Sequence, residues 1–299
     1  MKIALTGGSG FVGSNLIPYL LSCGEEVSVL SREQINSREF ALPIDAEAFI
    51  HLAGKAHDLK KTPDADEYYK VNFELTKKLF DAFLSSNAKI FIFLSSVKAS
   101  ADSVNGVLDE ESVPNPTTHY GRSKLKAETY MLSKPLPPDK RFYILRPCMI
   151  HGPGNKGNLN LLYKFVKAGI PYPFASFDNH RSFLSVENLC FIIIRLLKLS
   201  PASGIYNLSD DGYLSTNQVV EVLAAVLGKK PRLLHIPKKL LIFLSRIGDR
   251  FNLPLNSDRL TKLTEDYRVN NAKIKAIIGE DMPQNAVEGL KLTVKSFGI

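Results

Sequence analysis

Three cysteines, Cys23, Cys148 and Cys190, are all that this 299-residue chain carries, and no two are spaced as a pair. That argues against a disulfide framework and for reduced thiols in the cytoplasm. Long apolar stretches are missing too. The longest, residues 189–197, is interrupted by Arg195 and is far too short to span a bilayer. No secretory leader is expected, because a strand pattern starts at Lys2. There is no internal repeat, low-complexity tract or obvious linker. Nor does any basic motif interleave with aromatics, so nucleic acid is not the expected partner. What is left, 44% hydrophobic and 23% charged residues, is an ordinary globular composition.

The charge is unevenly placed. Of a net +8, most sits in residues 225–299, with 14 Lys and Arg against 7 Asp and Glu. A positive lobe attracts a substrate carrying a diphosphate. Residues 237–246 are apolar with basic flanks. They are expected to form a lobe helix packed inward, contact with a membrane surface being the other reading.

Two patterns carry chemistry. Residues 2–5 alternate as a short buried strand into Thr6, and glycines follow at 7, 10 and 13 before a helical run from Phe11. Gly7 suits a tight strand-to-helix turn, and Gly10 lets backbone approach a pyrophosphate. Gly13 allows close helix packing, and the helix start offers free N–H groups to phosphates. The spacing, GxxGxxG, is one residue off the commoner dinucleotide fingerprint. A second strand at residues 26–30 completes the distance of a βαβ unit. It ends in Ser31-Arg32, with Arg38 close behind, and lacks the acidic side chain that would hold the two adenosine-ribose hydroxyls of NAD. A hydroxyl and a guanidinium suit a 2′-phosphate, so NADP(H) is favoured over NAD(H).

A third strand is hard to place. Too few residues separate Arg32 from the strand-like Ala48-Phe49-Ile50-His51-Leu52-Ala53-Gly54 for a full helix–strand–helix. Either residues 39–42 form a stub strand or that strand does not exist.

The second pattern is Tyr120-Gly121-Arg122-Ser123-Lys124. Tyr120 and Lys124 share one helix face, where the lysine is expected to depress the phenol pKa and make it an acid/base near neutrality. A strand at residues 89–94 ends in Ser95-Ser96, a hydroxyl source for the same substrate oxygen.

With TGGSGFVG at 6–13, HLAG at 51–54, FLSS at 93–96, YGRSK at 120–124 and LRPCMIHGPG at 145–154, the chain resembles the extended short-chain dehydrogenase/reductases along nearly its whole length. These are nucleotide-sugar epimerases, dehydratases and reductases. The resemblance implies an α/β fold: a Rossmann-like, doubly wound parallel sheet with a smaller C-terminal α/β substrate lobe. Residues 1–150 would bind the dinucleotide, 176–210 would return to that domain, and 151–299 would mainly form the lobe. Ser96, Tyr120 and Lys124 would be the catalytic triad. The cofactor would be held by Gly7, Ser9, Gly10, Phe11, Val12 and Gly13, by Ser31 and Arg32, and by Leu52, Ala53 and Gly54. Asn72, Ser95, Tyr120, Lys124, Arg146 and Pro147 would complete its site. Ser96, Lys98, Asn158 and Leu159 would meet the nucleotide sugar, with Arg181 on its diphosphate, a role suited to a multidentate donor. A homodimer through the helices at 72–83 and 120–132 is the family-level expectation.

The reaction type can be narrowed. The 4,6-dehydratases carry an Asp-Glu pair directly after the catalytic hydroxyl residue, and Val97 and Lys98 stand there instead. A reductase of a UDP-linked 4-keto-6-deoxy-2-acetamido sugar is favoured. Arg32 suits a dissociable NADPH, and residues 94–98, 152–159 and 179–182 resemble the UDP-N-acetyl-hexosulose 4-ketoreductases. A 4-epimerase on UDP-hexose or UDP-N-acetylhexosamine is the alternative. A catalytically silent cofactor-sensing protein on the same fold is a second one, opposed by the intact Tyr120 and Lys124.

Overall fold

A computed structural model describes residues 1–55, 65–155, 157–251 and 255–298, though not the side chains of Asn158, Asp258 and Lys262. Strand β1 (Lys2–Thr6) leads into helix α1 (Phe11–Ser22), β2 (Glu26–Val29), a short α2 (Arg32–Asn36) and β3 (Ala48–His51). Helix α3 (Ala65–Tyr68) runs on through a π-helical turn, Tyr69–Glu74, into α4 (Leu75–Leu84). Next come β4 (Ile90–Leu94), a 3₁₀ turn at Val97–Ala99, β5 (Val107–Leu108), α5 (His119–Ser133), β6 (Arg141–Pro147) and β7 (Met149–His151). The remainder is α6 (Asn158–Lys167), β8 (Phe183–Ser185), α7 (Val186–Leu199), β9 (Gly204–Leu208), α8 (Thr216–Val226), α9 (Lys238–Phe251), α10 (Ser257–Thr264), β10 (Arg268–Val269), α11 (Ala272–Ile278) and α12 (Ala286–Lys295).

Six strands form one parallel sheet in the order β2-β1-β3-β4-β6-β9. The period-2 sequence of the strands explains why both faces are covered. Ile3, Leu5, Ala48, Ile50, Ile90, Ile92, Tyr143 and Leu145 face one way, onto α1 and α7. Ala4, Phe49, Phe91, Phe93, Phe142 and Ile144 face the other, onto Leu79, Phe80 and Phe83 of α4 and Ala127 and Met131 of α5. The four strand phenylalanines named thus all lie on the second face, and a one-residue slip in register would exchange the two sets.

From β1 the chain winds out to β2 and then returns past β1 to β3. Winding reverses between β1 and β3, and in open α/β sheets ligands bind outside the carboxyl ends of the strands at such a point. The stub strand considered at residues 39–42 does not form: residues 37–47 contain no strand, and β2 is the sheet edge. Leu42 and Ala46 instead drop into the phenylalanine layer, which the short span allows and a helix–strand–helix would not.

A second core lies in the C-terminal part, where Leu159, Tyr163, Val219, Leu223 and Leu290 bring α6, α8 and α12 together. Helix α9 departs from the inward-packing expectation. It buries only the narrow strip of Leu241, Ser245 and Gly248, while Leu240, Phe243, Leu244 and Phe251 stay exposed.

Candidate active site

The loops at the carboxyl ends of β1, β3 and β4 converge beside α5. Gly7 has φ +77°, and a Cβ there would lie 2.6 Å from the Ala53 nitrogen, so the turn after β1 lies directly against the end of β3. At Gly13 a Cβ would meet the Gly7 carbonyl at 2.4 Å, which fixes α1 close under the loop. Ser9 and Gly10 are exposed. The start of α1 has Gly10 as its N-cap, with no side-chain cap and no acid in the first turn. By contrast, α5, α7, α8 and α12 are capped by Thr118, Ser185, Ser215 and Asn285. An uncapped helix start behind a glycine cradle fits a dinucleotide pyrophosphate.

Ser31 and Arg32 stand at the carboxyl end of β2. The Ser31 hydroxyl accepts from the Gln34 N–H and forms a capping box on α2, and Arg32 is exposed as that helix's first residue. Gly54 follows β3, and a Cβ there would lie within 3.2 Å of both Lys124 Nζ and Asn72 Oδ1. Buried Asn72 accepts from the Lys55 N–H at 2.8 Å and donates to the Lys55 carbonyl and to Ser123 Oγ, both at 3.1 Å. It therefore pins the loop after β3 to α5.

Helix α5 is set by the sequence just ahead of it. The Asp102 carboxylate accepts from the backbone and hydroxyl groups of Thr117 and Thr118, which hold it below the usual carboxylate range against the opposing effect of burial. Thr118 then caps the helix on the Gly121 N–H. A Cβ on Gly121 would lie 2.3 Å from the Lys98 carbonyl, so only glycine lets α5 approach the 3₁₀ turn beside Ser96 so closely. Ser96 is itself the cap of that turn.

Tyr120 is partly buried, its ring 6.2 Å from that of Tyr68. Burial raises its pKa above the ordinary phenol value, the neighbouring Ser96 hydroxyl opposes this, and Tyr68 and Glu128 add to the rise. The expected depression by Lys124 is therefore corrected. The Lys124 ammonium donates to the Leu94 carbonyl at 2.8 Å and lies 4.6 Å over the Phe93 ring, and burial outweighs any help it gives the phenolate. Lys124 is itself pulled down to about 8 by burial, with Glu128 pulling the other way. His51, in the HLAG segment, is a core residue. It lies between the Thr6 and Thr76 hydroxyls, and burial holds it down at about 3, hence neutral.

Two other expected contacts turn out to lie beneath the site. The Ser95 hydroxyl donates to Glu128 Oε1 at 2.5 Å, and Arg146, 1% exposed, pairs with the same carboxylate through Nε and Nη2. The Ser95 hydroxyl and two of the Arg146 nitrogens are committed to this buried cluster, while Arg146 Nη1 has no hydrogen-bond partner among the described residues. Pro147 ends β6, paired with Leu208. On the other side of the cleft, Lys98 lies 4.3 Å over the Tyr267 ring and donates to the Asp102 carbonyl at 2.6 Å. Tyr267 donates its hydroxyl to the Ala101 carbonyl, and its backbone is bridged to Arg181. Lys98 and Arg181 are thereby gathered around one tyrosine. Leu159 does not join them, since its side chain is buried in the lobe core, and the Asn158 side chain lies outside the description.

Sequence reading missed Glu128, Asp102, Gly121 and Tyr267. A signal existed for Glu128 alone, one helical turn beyond Lys124 on the same face; the rest depend on long-range contacts.

A model of the NAD dependent epimerase/dehydratase family matches residues 3–209. The chain is 31% identical to a UDP-glucose 4-epimerase of Vibrio cholerae, over 99% of this chain and 95% of that protein. Its fold matches that of RMD from Pseudomonas aeruginosa, complexed with NADPH, with a TM-score of 0.76 at 21% identity over 99% and 98% of the two chains. It likewise matches a UDP-glucuronic acid 4-epimerase from Bacillus cereus in complex with NAD, with a TM-score of 0.76 at 18% identity over 99% and 98%. With the glycine cradle and the Ser96–Tyr120–Lys124 cluster at the switch point, the chain belongs to the NAD dependent epimerase/dehydratase family, as an enzyme of the short-chain dehydrogenase/reductase type.

Proposed function

We propose that this protein reduces the C4 carbonyl of a UDP-linked 4-keto-6-deoxy-2-acetamido sugar, using NADP(H). The observation that carries the reading is the carboxyl end of β2, where Ser31 and the exposed Arg32 stand in place of an acidic side chain and suit the 2′-phosphate of a dissociable NADPH. Tyr120, its pKa raised by burial, holds the proton that a C4 oxygen would take. The dinucleotide would be held by the turn at Gly7–Gly13, by the loop Leu52–Gly54 that Asn72 pins, and by Lys124. Ser31 and Arg32 are the donors nearest in sequence for a 2′-phosphate. When bound, the cofactor supplies the hydride that reaches C4.

The chain's own residues account for the rest. Tyr120 passes its proton to the C4 oxygen, and Ser96 donates a hydrogen bond to the same oxygen. Lys124, a cation below pH about 8, stabilises the tyrosinate left behind, which regains its proton from solvent. Lys98 and Arg181, beside Tyr267, would be the cations that meet a diphosphate, Lys98 by exchanging its present hydrogen bond to the Asp102 carbonyl. Dehydration has no support at the position where it would need an acid/base pair. Val97 is 3% exposed and apolar, and the Lys98 ammonium is engaged with Asp102 and Tyr267.

A second reading, 4-epimerisation, is favoured by the identity to the Vibrio cholerae UDP-glucose 4-epimerase over 99% of this chain. One experiment separates the two. The protein is mixed with UDP-GlcNAc, and separately with the 4-keto-6-deoxy product of a dehydratase, while reduced-nicotinamide absorbance and product NMR are followed. Stoichiometric NADPH oxidation with the keto sugar supports the reductase. Rapid interconversion of UDP-GlcNAc and UDP-GalNAc without net cofactor use, the keto sugar being ignored, assigns the epimerase instead.

A further inference from the structure

We propose that α9 docks this protein, peripherally and reversibly, on an anionic phospholipid bilayer surface. The helix carries a stripe unlike that of a helix closing a core. Leu240, Phe243, Leu244 and Phe251 recur at helical spacing on one side and are 47%, 60%, 40% and 64% exposed, with Ile247 between them. Lys239, Arg246 and Arg250 fall one position before members of that stripe, so they form its basic flank. All three are exposed.

The one acid of the helix, Asp249, is turned to another task. Its carboxylate accepts from the Ser257 N–H at 2.9 Å and from the Ser257 hydroxyl at 2.6 Å, capping the turn into α10. Gly248 completes that attachment, since a Cβ there would collide with the Leu255 carbonyl. The helix is thus fastened along its narrow inner strip and leaves its apolar stripe and basic flank outward.

Apolar residues flanked by cations on a helix of 14 residues match the interfacial mode, in which the apolar face enters the headgroup boundary and the cations meet anionic lipid. Such a helix is about 21 Å long, too short to cross a hydrocarbon core. Among the described residues no helix is long and apolar enough to cross one. A second copy of the chain is a poorer occupant. A twofold contact through α9 would bring the two basic flanks together, adding like charge where a bilayer supplies the opposite. Docking would also bear on the cleft. The Leu263 carbonyl at the end of α10 accepts from Asn179 and Thr216, and the Tyr267 N–H donates to the His180 carbonyl, so the chain leading from α9 is fastened to the segment that carries Arg181.

The proposal is independent of which sugar is turned over, and its test contains no enzyme assay. The purified protein is pelleted with vesicles of phosphatidylcholine alone or of phosphatidylcholine with phosphatidylglycerol, at low and high salt. Binding is expected only with phosphatidylglycerol and should weaken with salt. Each cation removed should lower the partition coefficient about fivefold. Arg246→Glu with Arg250→Glu, or Phe243→Asp with Leu244→Asp, should therefore abolish pelleting while leaving the melting temperature in place. The chain contains no tryptophan, so Phe243→Trp adds a single indole, excited apart from the tyrosines, whose emission should shift to the blue with the anionic vesicles. No pelleting by the unmodified protein, equal pelleting with both vesicles, or unchanged pelleting of the paired variants overturns the proposal. So does a dimer in light scattering that Phe243→Asp with Leu244→Asp converts to monomer without any vesicle binding, which would assign the stripe to a second copy.

Discussion

Lys140 and Lys124 are both 4% exposed, at opposite ends of the same sheet, and they are held in opposite ways. Lys140, just before β6, donates to the carbonyls of Phe83, Ser86 and Ala88 at 3.0, 2.7 and 2.7 Å. Its three N–H groups are all used, closing the end of α4 over the amino end of the sheet. Lys124, at the carboxyl end, makes one hydrogen bond among the described residues, to the Leu94 carbonyl, and otherwise lies over Phe93. Burial lowers the pKa of both. At that carboxyl end α1 also begins on an uncapped glycine, as α6 does. Polar groups are satisfied where the sheet is only being closed and left open where a ligand is to be met.

The largest test of that contrast is Tyr120→Phe. Removing the phenolic proton at the open end should lower turnover roughly 10²–10⁴-fold, with cofactor binding and melting temperature held. Steady-state kinetics beside a thermal melt decide it, and near-normal turnover would break the assignment of the carboxyl end as the reacting one. Next in size is Arg32→Asp, which replaces an exposed cation by an anion that repels a 2′-phosphate. NADP(H) over NAD(H) preference should fall roughly ten- to a hundredfold. Equal affinities for the two cofactors in the unmodified protein would remove the basis for NADP(H).

Exchanging each lysine for methionine sharpens the comparison directly. Lys140→Met leaves three carbonyls, those of buried Phe83 and Ala88 and partly buried Ser86, without their donor and should destabilise by about 1–3 kcal/mol, with activity per folded molecule kept. Lys124→Met strands one carbonyl, but it also removes a charge that is costly to bury. Between pH 8 and 10.5 the unfolded chain binds this proton and the folded one does not, so the group favours folding increasingly as pH rises through that window. Below pH 8 its charged form is a net cost, and at neutral pH the variant should melt no lower than the parent while turnover collapses. If both variants lose stability alike and both keep activity, the two ends do not differ in the way described.

Much of this was legible before any fold was known, and the reasons are local. Gly7 and Gly13 announce themselves because a strand, a turn and a helix follow one another within a few residues. The Tyr120–Lys124 face follows from helical periodicity alone. Contacts made across the sequence were not legible. That Ser95 and Arg146 would be drawn under the site by Glu128 depends on β4, α5 and β6 being neighbours. That Lys98 and Arg181 would meet at Tyr267 depends on the turn after β4 reaching the strand-like residues after α10. The direction of the Tyr120 shift also escaped, because a spacing shows which charge is near and not how much water is removed. The exposed side of α9 escaped for a similar reason, since periodicity cannot say which stripe finds a partner.

The smallest effect expected on activity concerns Glu128, whose carboxylate lies beneath the open end. Activity that needs the Lys124 cation should decline as pH rises through about 8. The Glu128 carboxylate raises Lys124, so Glu128→Gln should move that alkaline limb to lower pH, by up to about one unit. Arg146 pairs with the far side of the carboxylate, Tyr120 feels its charge from above, and buried His51 beneath Lys124, held down at about 3, does not titrate in that range. The substitution also leaves Arg146 buried without its partner, a loss of about 3–5 kcal/mol. The profile is therefore to be taken well below the melting temperature and compared with Glu128→Gln combined with Arg146→Met, which removes the stranded cation. A limb displaced in both variants makes the carboxylate part of the acid–base setting of the site. A limb that stays at the parent's pH, with only stability lost, would reduce Glu128 to the same kind of structural closure that Lys140 provides at the other end of the sheet.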